Sequence, residues 1–248
     1  MENGKLILVT GDKGGGGKSF VSAVVSDSLY RLHSDLDLLI VEGDGVVGDV
    51  AARFEDSGIP GVLAAMDGDP TSAVAALVDH LDKDRADRVI VNLPAAACLT
   101  IDPLAGSLVA PAAEALDLEI VCLFVLTAEP ASARLAGRSL RSGLAAIADR
   151  KIAVLNGHFG HAESFAWSES GERAAWLAAG GVEAWLPDLH QRVARIVRER
   201  PFSHYLPGGA AAAELTLSGR ILLQRWLAQA DGIMDLIEGG NEEREVAA

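Results

Sequence analysis

The stretch that decides the fold is Lys5-Leu6-Ile7-Leu8-Val9-Thr10, followed by Gly11-Asp12-Lys13-Gly14-Gly15-Gly16-Gly17-Lys18-Ser19. An apolar, β-type run empties into four glycines, a lysine and a serine. Phe20, Val21, Val24, Val25 and Leu29 then follow at helical spacing. The order is strand, glycine-rich loop, helix. Glycines let backbone N–H groups surround phosphate oxygens, and a helix N-terminus adds donors and a favourable dipole. In such a loop Lys18 reaches the β- and γ-phosphates, and the Ser19 hydroxyl ligates Mg²⁺. The plain alternative is a flexible glycine turn, against which stand the lysine and serine at the helix start.

The chain has 248 residues, half of them apolar, and a formal net charge of −14. That length accommodates one large α/β domain, and the apolar content excludes a disordered chain. No apolar run is long enough to cross a bilayer. No secretory pattern opens the chain, so a cytoplasmic protein is expected. The acidic balance argues against generic nucleic-acid binding, which depends on neutralising phosphates. Cys98 and Cys122 are too few and too far apart for a disulfide framework or a zinc site.

Strand-like runs recur at residues 37–41, 88–91, 119–126, 151–155 and 182–186, with helical stretches between them. Short continuous apolar strands alternating with helices indicate a parallel, twisted sheet with helices on both faces. Helices are expected over 71–81 and 104–116, the second started by Asp102 as N-cap and Pro103. A helical face carrying Leu189, Val193, Ile196 and Val197 should turn Arg192, Arg195 and Arg198 outward. A last helix is expected over about 211–237. No linker divides the chain, so residues 1–248 are expected to form one domain, with 238–248 as a flexible acidic tail. In such sheets ligands bind past the carboxyl ends of the strands.

The loop reads K-G-G-x-G-K-S, with Lys13 as an additional lysine; the strict phosphate-loop pattern would need a glycine at Asp12. In this it resembles the MinD/ParA family of P-loop ATPases, whose deviant phosphate loop carries that lysine. The resemblance implies a P-loop NTPase fold of the MinD/ParA type that binds ATP and Mg²⁺ through Gly14, Gly15, Gly16, Gly17, Lys18, Ser19 and Phe20. It further implies a homodimer around ATP, with Lys13 crossing to the partner's nucleotide.

The family places an Asp-x-Asp after its second strand; here Glu42-Gly43-Asp44 stands there, and Asp44 matches the aspartate that positions water and the Mg²⁺ shell. Past the third strand relatives carry a Walker B aspartate, whereas this chain has Asn92 before Leu93-Pro94. A neutral amide serves a Mg²⁺ shell less well than a carboxylate, so slow hydrolysis or binding without hydrolysis is implied. Asn156-Gly157 matches an asparagine that recognises the adenine edge, and Pro187 matches a proline-containing loop beside the base; ATP is expected over GTP. Asn156-Gly157 also reads as an ordinary turn, as does Asp44 between its two glycines.

The nitrogenase iron protein, a distant relative, binds an iron–sulfur cluster through two cysteines per subunit. Cys122 lies in a strand pattern rather than an exposed loop, so buried or loop thiols are expected instead. Arg134, Arg138 and Arg141 share one helix face, a solvated face or a contact for a partner or DNA. The chain's Glu-rich end would be repelled by anionic lipid, so no membrane binding is expected. Three functions follow: an ATP-driven switch acting on an unidentified protein partner, in plasmid or mobile-element partition or transfer; a nucleotide-binding regulatory module deficient in hydrolysis; and a biosynthetic enzyme of the dethiobiotin-synthetase kind.

Overall fold

The computed structural model describes residues 3–11, 14–43, 49–64, 69–95 and 97–239. In chain order the main elements are β1 (Gly4–Gly11), α1 (Lys18–Leu32), β2 (Leu38–Glu42), α2 (Asp49–Phe54), β3 (Gly61–Leu63) and α3 (Pro70–Lys83). Next come β4 (Arg88–Asn92), α4 (Ala97–Thr100), α5 (Ala110–Ala115), β5 (Leu118–Leu126), α6 (Pro130–Ser142) and α7 (Leu144–Ile147). The chain continues through β6 (Arg150–Asn156), α8 (Gly171–Ala178), β7 (Val182–Leu186), α9 (Gln191–Ala194), α10 (Leu217–Ala230) and α11 (Gly232–Glu238).

Seven strands form one sheet in the order β3-β2-β4-β1-β5-β6-β7, and every pair is parallel. The strand carrying the glycine loop is therefore central, flanked by β4 and β5. Alternation along β1 explains its unbroken apolar run. Ile7 and Val9 enter a core with α1, α2, α10 and α11, while Leu6 and Leu8 enter the opposite core with α3, α6 and α8. Both faces are covered, so no position along the strand has to be polar.

Several expected elements differ. The edge strand β3 escaped sequence reading: it is three residues long and exposed or half-buried, so it lacks an apolar run. The helix expected over 104–116 is a 3-10 turn at Asp102–Leu104, a π turn at Ala105–Val109, and only then α5. Pro111, in the first turn of α5, cannot donate a backbone hydrogen bond, so α geometry restarts there.

Asp102 does not cap its own helix. Its buried carboxylate accepts from the Leu144 amide at 2.9 Å and from Ser139 Oγ at 3.4 Å, holding the α6–α7 junction. The face expected from Leu189 to Val197 is helical only over α9; beyond Ala194 the chain leaves α geometry and Ile196 is exposed. The last helix is divided into α10, capped by Thr216 Oγ1 on the Gly219 amide, and α11 beyond Asp231. Glu238, expected in the tail, ends α11 and pairs with Arg88. Residues 240–248 lie outside the described residues.

Candidate nucleotide site

At the carboxyl end of β1 the backbone turns through Gly15 at φ +80° and Gly17 at φ +96°, conformations that side chains rarely adopt. A Cβ on Gly17 would stand 2.3 Å from Asn156 Nδ2. Gly17 also opens α1, its carbonyl accepting the first helical bond from the Val21 amide at 2.9 Å. No side chain caps this helix and its first turn holds no acid. Its N-cap is a glycine, which offers no side chain to the first amides, and a helix start of this kind suits an anion. Lys18 is buried, 7% exposed. Lys13 and Asp44 lie outside the described residues.

Beside Ser19 lies a buried polar cluster. Asn92 Nδ2 is 3.3 Å from Ser19 Oγ and donates to Glu42 Oε2 at 2.8 Å, and Ser22 Oγ donates to Asn92 Oδ1 at 3.2 Å. The other Glu42 oxygen accepts from the amides of Val50 and Ala51 at 2.6 and 2.8 Å, fastening the start of α2. Burial pushes the Glu42 carboxyl up from its ordinary value; the bonds from Asn92, Ala51 and Val50 offset only part of that.

Glu42 and Asn92 are register partners on neighbouring strands. The Glu42 carboxyl therefore stands one strand over from Asn92, whose Nδ2 lies between it and Ser19 Oγ. Hard cations take oxygen ligands, and Mg²⁺ is usually held by one or two carboxylates together with phosphates and water. Ser19 Oγ and the Glu42 carboxylate suit that chemistry, and no cluster of three or more His, Cys, Asp or Glu among the described residues suggests an all-protein cage.

From Gly15 and Gly17 a cavity of about 540 Å³ runs over Phe20 and Asn156 to Pro187 and Leu189, within the size range of small-molecule sites. Asn156 anchors its floor, donating to the Gly16 carbonyl at 3.2 Å and accepting from the His158 amide at 3.1 Å. Gly157 permits β6 to end close against β7, since a Cβ there would meet Trp185 at 2.7 Å and the Leu186 carbonyl at 2.8 Å. The Pro187 carbonyl accepts from Trp226 Nε1 at 2.7 Å. Phe20 packs against Phe202 and Trp226 at ring separations of 5.7 and 5.5 Å. These contacts bring loop, floor and far wall together.

The cavity also receives Asp188, next to Pro187, and Arg53, His158, Gln191, Arg195 and Arg198, which sequence reasoning did not assign to it; Arg195 and Arg198 were expected to turn outward. His158 Nδ1 and Asp188 Oδ1 are 3.1 Å apart at its mouth. Only the position of 188–198 after the last strand hinted at this, because nothing in the local pattern shows that the segment folds back over α1. Arg134, Arg138 and Arg141 lie exposed on α6, away from the cavity, and Arg141 pairs with Glu172 at 2.8 Å. Cys122 is buried in β5, where burial raises its thiol pKa. No described helix is long and apolar enough to cross a membrane.

No protein-family model matches the chain, and neither does any curated protein. Solved structures do. The septum site-determining protein MinD from Pyrococcus horikoshii OT3, complexed with Mg-ADP, is 20% identical, with a TM-score of 0.50 over 97% of this chain and 99% of that one. This is the fold of the MinD-type P-loop ATPases. The signal recognition particle receptor FtsY from Elizabethkingia anophelis is 15% identical at a TM-score of 0.50, covering 92% of this chain. The chain spans 66% of FtsY. In the MinD-type sheet seen here, the glycine loop, the Glu42–Asn92 pair and Asn156 all stand at the carboxyl ends of their strands, where open parallel sheets bind ligands.

Proposed function

We propose that the protein binds ATP with Mg²⁺ at the glycine loop and works as a MinD/ParA-like switch that dimerises around ATP to act on a protein partner. The observation that carries the reading is the uncapped α1 N-terminus behind two positive-φ glycines, opening into the cavity that ends at Pro187. Backbone amides and Lys18 bind the β- and γ-phosphates, Asn156 and Pro187 border the base, and Phe20 continues the wall between them. Ser19 Oγ, with Glu42 and Asp44, would hold Mg²⁺, which supplies charge neutralisation at the phosphates. Asp44 orients the attacking water, and Lys13 reaches the nucleotide of the second subunit.

Asn92 favours a slow form of this switch. It is a neutral amide engaged with Glu42 and Ser22, and neither of those contacts lets it take a proton or carry charge. A module that binds ATP and regulates by occupancy alone is the second reading, and Asn92 is its support.

Light scattering with no nucleotide, with ADP–Mg²⁺ and with ATP–Mg²⁺ tests the switch. The expected result is a dimer with ATP only, lost in Lys13→Ala. An unchanged mass in every condition would remove the switch.

A further inference from the structure

The cavity that opens at the glycine loop carries the opposite sign of charge to the molecule around it. The chain has a formal net charge of −14, yet among the described residues the cavity is lined by three arginines, Arg53, Arg195 and Arg198, and by one acid, Asp188. That acid already meets His158 at 3.1 Å. Arg53 donates through Nη2 to the Arg198 carbonyl and so fixes the wall rather than the ligand. Arg195 and Arg198 are exposed on the stretch just beyond α9, which Val193 and Val197 hold to the core. Among the described residues no carboxylate pairs with either guanidinium. The Arg195 side chain makes no hydrogen bond there, and Arg198 engages only its Nε, on the Ala194 carbonyl at 3.3 Å.

A cleft of one sign concentrates ions of the other, and the planar guanidinium fork matches phosphate oxygens. In the nucleotide reading above, the 5′-phosphates are met by the glycine loop and Lys18, and the base is bordered by Asn156 and Pro187. The wall continues from Pro187 through Leu189 and Ala194 to Arg195 and Arg198, where ATP has no charge left to offer. Apart from its 5′ position, an adenosine nucleotide takes a phosphoryl group on its 2′ or 3′ hydroxyl. We propose that Arg195 and Arg198 form a cationic subsite for a ribose-bound phosphate, so that the ligand is an adenosine nucleotide phosphorylated at the 2′ or 3′ hydroxyl as well as at the 5′ end. The proposal rests on the nucleotide reading and narrows its ligand.

The test is calorimetric titration with ADP, ADP bearing a 3′-phosphate and ADP bearing a 2′-phosphate, for wild type, Arg195→Gln, Arg195→Gln combined with Arg198→Gln, and Lys18→Ala. One of the two ribose-phosphorylated ligands should bind the wild type about tenfold or more tightly than ADP, the scale of one charged hydrogen bond, and the one that does so names the hydroxyl. The combined substitution should bring that ratio close to one, with Arg195→Gln between. Added salt should lower the ratio in the wild type, because both arginines are exposed. Equal affinity of the wild type for all three ligands, or a preference that the combined substitution leaves intact, would overturn the subsite. Inorganic phosphate binding to the wild-type ADP complex, with no preference among the three nucleotides, would overturn the ribose assignment. If the wild type binds ADP and Lys18→Ala does not, the nucleotide reading stands whatever the preference; a wild type that binds none of the three overturns both.

Discussion

The two ends of the sheet handle polar groups in opposite ways. At the amino ends of the strands, charges find one another. Lys5 pairs with Glu119, Arg150 pairs with the same carboxylate, and Arg88 grips Glu238 through two bonds of 2.9 and 2.8 Å. At the carboxyl ends, two positive-φ glycines open into a cavity, and a neutral amide, Asn92, is engaged by Glu42 and Ser22. The first end closes the fold, and the second is organised for something that arrives. Substitutions at the amino ends should therefore cost stability alone, and those at the carboxyl ends should change nucleotide binding as well.

The largest effect is expected at the closed end. Glu238→Ala removes the carboxylate that accepts two bonds from the Arg88 guanidinium, whose side chain is only 3% exposed. Losing one partner of a buried charge pair costs up to about 3 kcal/mol, so chemical denaturation should show a loss of that order with nucleotide affinity unchanged. Gly17→Ala comes next and, unlike Glu238→Ala, should reach binding. It puts a side chain at φ +96° and a Cβ against Asn156, a strain of about 1–3 kcal/mol. ADP affinity measured by calorimetry should fall at least tenfold, and an unchanged value would mean that the loop does not hold the phosphates.

Asn92→Asp sharpens the comparison further. It sets a second carboxylate 2.8 Å from Glu42 and should destabilise the protein at neutral pH by about 1–2 kcal/mol. Mg²⁺–ADP should recover that loss, giving a larger thermal shift than in the wild type. An equal shift would place Asn92 outside the metal's surroundings.

The smallest effect is one of sign. Burial raises the Glu42 carboxyl above its ordinary 4.5, so its contribution is fully present below that value and is lost as pH rises through the folded value. For Glu119 burial also pushes upward, but Lys5 and Arg150 outweigh it and the carboxyl is lowered. Its contribution is present above 4.5 and lost as pH falls. Stability differences between wild type and Glu42→Gln, and between wild type and Glu119→Gln, should therefore slope oppositely from pH 3 to 7, a range of about one Asp/Glu titration to either side. Parallel slopes would contradict the contrast.

What sequence reading captured follows from how local each signal is. The parallel sheet was legible because five strands, β1, β2, β4, β5 and β6, are short, mainly apolar runs buried on both faces, and the glycine loop because glycines, lysine and serine are adjacent in the chain. The strand β3 was not, being an exposed edge with no apolar run. Helices were over-extended where a single residue interrupts the pattern: Pro111 before α5, and Asp231 between α10 and α11, whose carboxylate is taken by Ser28 and Arg31 at 2.6 Å each. The candidate site was half legible. Asn92 and Asn156 announce themselves by standing at strand ends, and Ser19 by following the glycines and Lys18. Arg53 and Arg198 do not, because their meeting over Phe202 joins segments 145 residues apart. Glu42 read as a substituted aspartate, and only its two amide partners on α2 reveal a structural duty as well.

The most direct test of the open end is calorimetric titration of the wild type and Lys18→Ala with ADP–Mg²⁺, each with its thermal melt recorded. The arrangement predicts one ADP per chain for the wild type and a loss of about a hundredfold or more in the variant, as expected when a charged, desolvated phosphate contact is removed, with little change in melting. Binding of equal strength in both proteins, or none in the wild type, would contradict a phosphate site at the glycine loop.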